Sequence, residues 1–142
     1  MELTRVIYTL LHQNQNVAGQ VGTRIFPDIL AGGHPLPAIT FTVNNISRTQ
    51  EKDSQQSYDE ADITVTVYAR KRETAENIAE YCTTAMNRKS QTINNTTVHT
   101  TGHTGESWDV WDRGDAPGTE GIGQRVFLQS INYYIHYTYV PK

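Results

Sequence analysis

The sequence predicts an α+β domain in which a sheet carries two helices packed on one face. Two stretches repeat apolar residues at helical spacing, and several others alternate apolar and polar residues. Runs of strand-like segments are interrupted by single helices, the order expected of an α+β sheet rather than of βαβ units. No internal repeat and no linker of shifted composition divides the chain, so residues 1–142 read as a single domain.

Leu3, Val6, Ile7, Leu10 and Leu11 form one apolar stripe, which predicts a helix ended by Asn14-Gln15-Asn16. Gly19 and Gly22 mark a turn region leading into Arg24-Ile25-Phe26-Pro27, and Ala31 to Pro37 is a loop by composition. From Ala38 the chain alternates, with Ile39, Phe41 and Val43 on one side of a strand. Residues from about Ser47 to Glu60 are too polar to pack, and predict an exposed loop or a long hairpin tip. Asp62 to Ala69 alternates again, with Ile63, Val65, Val67 and Ala69 sharing a face.

A second helix is predicted from roughly Thr74 to Arg88, with Ala75, Ile78, Ala79, Cys82, Ala85 and Met86 inward. Its glutamates lie early and Arg88 and Lys89 at its end, each sign matched to the helix dipole. The Thr- and Asn-rich stretch from Ser90 to Thr101 suggests a weak edge strand, and Glu106 to Asp112 another short one. Gly102 to Gln124 reads as a second polar loop region, Gly-rich beyond Arg113. Val126 to Tyr139 predicts a long last strand, with a bulge near Leu128 because Gln129 falls in the apolar phase.

Composition narrows the function. Hydrophobic residues make up 37% of the chain, a lean core that suggests surface covered by partner subunits. The net charge of −3 is not that of a protein gripping nucleic acid by its phosphates. The N-terminus lacks the basic and long apolar stretches of a signal peptide, and no membrane span is expected.

Constellations with chemical potential each meet an objection. His99 and His103, with Glu106, Asp109 and Asp112 nearby, could be drawn as a metal site, but the segment does not predict the fixed geometry that zinc needs. Gly114 to Gly121 lacks the lysine and following helix of a phosphate cradle. Cys82, the lone cysteine, sits on the inner helical stripe as a small core residue. Asp59, Glu60 and Asp62 read as a solvated strand end. Arg70-Lys71-Arg72 reads as a solvated turn or as a salt-bridge partner for a neighbouring subunit. No catalytic residue, metal ligand or cofactor is expected, and the chain is not expected to be an enzyme.

Several segments in order carry a resemblance. The first helix leads into Val21-Gly22-Thr23-Arg24-Ile25-Phe26-Pro27 and then Pro37-Ala38-Ile39-Thr40-Phe41; a polar loop precedes Ile63 to Ala69, a helix follows, and Arg125-Val126 opens the last strand. This resembles the tail-completion or tail-terminator family of long-tailed, non-contractile phages. The resemblance implies a mixed, mainly antiparallel sheet with helices against it, in a ring-forming subunit, most often one of a hexamer. It implies a structural virion protein, assembled in the host cytoplasm, that caps the tail tube and joins the tail to the head connector. The implied partners are further copies of the chain, the tail tube protein and the connector or stopper protein, with DNA passing through the ring without sequence-specific binding. Alternatives are a head-side neck ring protein, a non-virion binding module, or a small enzyme with no visible site. The assembly contacts are expected in the polar loops, through Arg48, Glu51, Lys52 and Asp53, with Trp108 and Trp111 as aromatic anchors.

Overall fold

A computed structural model describes residues 2–28, 36–49, 58–88, 90–93, 96–112 and 125–139. In chain order these form α1 (Glu2–His12), α2 (Gln15–Val21), β1 (Ile25–Pro27), β2 (Ala38–Thr49), β3 (Tyr58–Ala69), α3 (Arg72–Met86), β4 (Gln91–Ile93), β5 (Thr96–Asp112) and β6 (Arg125–Tyr139). The strands make one sheet in the order β1-β2-β3-β6-β5-β4. Among the described residues only β1 runs parallel to its neighbour, and the other pairings are antiparallel.

The apolar stripes expected of α1 and of the later helix are buried as predicted. They join Val17 and Val21 of α2 and the inward residues of every strand in one cluster. Along β3 and β6 that inward set is Ala61, Ile63, Val65, Val67 and Ala69 against Ile131, Tyr133, Ile135 and Tyr137. The intervening positions face the other way. Tyr68, Val126 and Leu128 form a separate small cluster with Leu36. Farther along, the face is a polar ladder: Asn44 donates to Thr64, Thr64 donates to Asn132, and Thr66 meets Ser130.

Several expectations are corrected. There are three helices, not two, among the described residues. The region around Gly19 is helical because Asn14 caps α2, its side chain accepting from the N–H groups of Asn16 and Val17 at 2.9 and 3.1 Å. Gly22 ends the helix at φ 60 and ψ −124, a conformation open to glycine. Residues 25–27 are a strand, held by the Ile39 N–H on the Arg24 carbonyl and the Asp28 N–H on the Phe41 carbonyl. The later helix starts at Arg72 and ends at Met86, so Arg88 lies past its last turn.

The two loop expectations shrink likewise. Ser47–Thr49 and Tyr58–Glu60 pair with one another as the continuation of the β2–β3 hairpin. Residues 102–112 belong to β5, which pairs with β6 as far as Asp112↔Arg125. The strand expected over Glu106 to Asp112 is present as the end of β5, and the hairpin alternative for Ser47 to Glu60 holds for its paired ends. Low hydrophobicity hid the pairing of residues 102–105, because backbone pairing with a well-anchored neighbour does not need apolar side chains. Residues 50–57 and 113–124 lie outside the described residues. No bulge falls at Leu128: β6 pairs with β3 without interruption, and the irregularities lie in β5, between Val98 and Thr100 and between His103 and Gly105, and in β2, between Val43 and Asn45.

Candidate functional site

The register places the two long hairpins at opposite ends of the sheet. Near the outer end of β2–β3, Asp59 pairs with Tyr137, close to the C-terminal end of β6. The β5–β6 hairpin closes toward Arg125, where Phe127 lies beside Ala69. Strand β6 has 15 residues, as does α3. A strand rises about 3.3 Å per residue and a helix about 1.5 Å, so β6 is more than twice as long as α3.

At the base of the β5–β6 hairpin, Trp108 pairs with Gln129 and is 37% exposed. The Arg72 guanidinium lies 4.9 Å from the Trp108 ring centroid, a cation–π distance, and its Nε donates to Glu76 at 3.2 Å. Beside them is a cleft of about 570 Å³ lined by Glu76, Glu80, Thr83, Glu106, Trp108 and Gln129 among others. The Gln129 amide donates to Glu106 Oε2 at 3.1 Å, and His103 Nε2 faces Glu106 Oε1 at 3.2 Å. Below the cleft, Tyr133 and Thr83 share a hydroxyl–hydroxyl bond of 2.9 Å, and burial pushes the Tyr133 phenol pKa upward.

Of the expected contact residues, Trp108 is thus placed beside Arg72 and α3. Arg48 lies in β2 opposite Asp59, and Trp111 lies in β5 opposite Val126. Glu51, Lys52 and Asp53 lie outside the described residues. The structure does not bring Arg48 and Trp108 together, since they belong to hairpins at opposite ends.

The constellations with chemical potential resolve into pairwise contacts. His99 Nε2 lies 2.7 Å from the Thr138 hydroxyl, while His103 faces Glu106. Among the described residues, no three His, Cys, Asp or Glu side chains converge to hold a metal ion. Glu60 meets His136 at 3.6 Å. Of the basic cluster, Arg72 is engaged within the chain rather than standing as a bare solvated turn. Cys82 is fully buried and its thiol pKa is pushed up to about 12 by burial. Sequence reasoning missed the grouping of Arg72, Glu106 and Gln129. Two signals were available: Arg72 and Glu76 at helical i,i+4 spacing, and a Gln in the apolar phase of a strand.

These features describe an α+β domain with two polar hairpins at opposite ends of its sheet. The tail completion protein gp17 family model matches residues 5–116, and the chain belongs to that family. It is thus a structural protein of the virion tail. A chain of the virion of a native gene transfer agent particle shares the fold, with a TM-score of 0.69 at 10% identity over 93% of this chain and 92% of that chain. No match is found among curated proteins. Among the described residues, no helix is long and apolar enough to cross a membrane.

Proposed function

We propose that the protein is a non-enzymatic ring subunit, one of six, that caps the tail tube and joins it to the head connector at the neck. The observation that carries this is the opposite placement of the two hairpins. A subunit with one polar hairpin at each end of its sheet can contact one axial partner with each while its flanks meet neighbouring copies. In this reading the helices cover one face of the sheet, and the ladder of Asn44, Thr64, Thr66, Ser130 and Asn132 is left on the other. Arg48, Glu51, Lys52 and Asp53 serve the contact at one end; Trp108 and Trp111 serve the other. DNA passes through the ring without sequence-specific binding, in keeping with the net charge of −3. The absence of a complete catalytic motif in the sequence supports a purely structural role.

The test replaces Gln50 to Gln56 by a Gly-containing turn. The isolated subunit is expected to keep its thermal midpoint within a few degrees, as surface changes shift stability by about 0.5 kcal/mol. Joining of tails to heads is expected to fall sharply, and cryo-electron microscopy of intact particles to show a sixfold neck ring. Normal joining by the shortened chain, or a neck ring of another symmetry, would refute the corresponding part of the proposal.

A further inference from the structure

We propose that two open edges of the sheet, β2 beyond Phe41 and β5 beyond Thr101, are the surfaces by which one copy of the chain pairs with the next, in a continuous antiparallel sheet around the ring. The ring rests on the reading above; the choice of edges rests on the strands. Strand β1 covers β2 only at residues 39–41, and β4 covers β5 only at residues 96–98. The Ile39 N–H and the Phe41 carbonyl bond toward β1, and the Thr101 carbonyl accepts from the Arg88 N–H, so these positions turn their backbone groups away from the inner strands. The register carries the same parity along the sheet. Ile46, opposite Ala61, and Trp108, opposite Gln129, turn their N–H and C=O groups outward too, where no described strand lies alongside.

Exposure marks the same two edges independently. Residues 44–47 of β2 are exposed on both faces of the strand, as are residues 103–109 of β5 apart from half-buried Gly105. Ile46 and Trp108, at 36% and 37%, are the exposed large hydrophobic residues among the described residues. One stands on each open edge, and both lie on the helix-bearing face, since Ala61 belongs to the core cluster and Arg72 of α3 lies over Trp108. An edge strand with free backbone groups is a template for another strand, and an apolar side chain beside it adds a contact.

A second copy fits both edges at once. Across β2, β3, β6 and β5 every pairing is antiparallel, so β2 and β5 run in opposite directions. Copies side by side in one orientation therefore meet antiparallel, and a head-to-tail contact of this kind can close into a ring that leaves no open edge. The offset also fits. Ile46 stands level with Ile135 and Trp108 level with Gln129, six positions apart along β6. A level contact would set Ile46 against Thr101, whose carbonyl is taken by Arg88. Sliding the neighbour by those six positions, about 20 Å, over a repeat of four strands, about 19 Å, tilts the strands by about 45° to the ring axis, the upper end of the range for closed barrels. Ile46 then lies beside Trp108 of the next copy. Trp108 is thereby assigned to the flank between copies, and the axial contact at that end stays with Trp111.

The experiment combines Ile46→Cys with Trp108→Cys and treats assembled particles with a short bifunctional thiol reagent; the native Cys82 is buried and does not compete. A ladder of covalent oligomers up to the full ring is expected in denaturing gels, with none from either single variant. An unlinked double variant, or dimers from a single variant, would overturn the proposal. A second measurement addresses the backbone. Ile46→Pro removes an N–H that points away from β3, so the isolated subunit is expected to keep its thermal midpoint within a few degrees, whereas Ser47→Pro, whose N–H faces β3, lowers it. In mixed assembly Ile46→Pro is expected to enter particles about tenfold less than the unaltered chain, the equivalent of one lost hydrogen bond, and Ile46→Ala to be less affected. Equal entry of Ile46→Pro would overturn the pairing, and exclusion without a ladder would give the edge to a different protein. Cryo-electron microscopy of unaltered particles reads the ring separately: failed linking inside an intact ring refutes these edges alone, and absence of a ring refutes the reading on which they rest.

Discussion

Gly102 shows how one residue is chosen by its neighbour across the sheet. It pairs with Tyr134, and a Cβ at position 102 would overlap the Tyr134 ring. The ring, tilted against His136 at 5.1 Å, lies over a backbone that only glycine leaves bare. Gly102→Ala is expected to cost about 1 kcal/mol, the low end for overpacking, because a half-buried ring can swing aside. Combining it with Tyr134→Ala is expected to remove most of that penalty in a double-mutant cycle of urea melts. Strictly additive effects would show that the overlap is not the cause. In the sequence, Gly102 looked like loop punctuation, since its partner lies 32 positions away and only the register identifies it.

At the scale of the element, α3 was legible along its length but not at its ends. Its inward stripe follows from spacing alone, whereas its last turn is held from outside by β5. The Thr101 hydroxyl donates to the Met86 carbonyl, and the Arg88 N–H donates to the Thr101 carbonyl at 2.9 Å. These contacts serve a helix end where carbonyls otherwise lack partners. Thr101→Val keeps the side chain's shape and removes the donor, leaving a buried carbonyl unpaired. We expect a loss of about 1–3 kcal/mol in urea unfolding, with faster hydrogen exchange at the Arg88 amide. Unchanged stability would show that the helix end does not need this clamp.

Over the whole molecule, all three helices and the inward face of the sheet share one cluster, and Cys82 lies inside it. Its thiol is therefore expected to react with a disulfide reagent only as fast as the core opens, and freely in urea; rapid reaction in the native state would contradict a single cluster. The pH dependence has a definite sign. The folded pKa is raised from 9.0 to about 12, so the folded state holds the proton more tightly. The stabilisation is fully present below pH 9 and is lost as pH rises through the folded value. Cys82→Ala is expected to flatten that alkaline decline in urea midpoints; an unchanged slope would assign the decline to other groups.

What the sequence by itself determined is the α+β class, the α1 and α3 stripes, the cores of β2, β3 and β6, the burial of Cys82 and the resemblance to a tail-completion protein. Each is written in local spacing or in a short run of residues, which a chain carries without knowing its partners. Only the tertiary structure decided the rest. Strand β1 exists because β2 lies beside it, and the polar ends of the hairpins are strands because each is zipped to a neighbour already anchored in the core. Short α2 rests on its Asn14 cap and on Val17 and Val21 reaching the common cluster. The opposite directions of the hairpins, and the meeting of Arg72, Glu106, Trp108 and Gln129, follow from strand order and register. Those are set by backbone hydrogen bonds between residues far apart in the chain, a distance over which side-chain periodicity carries no signal.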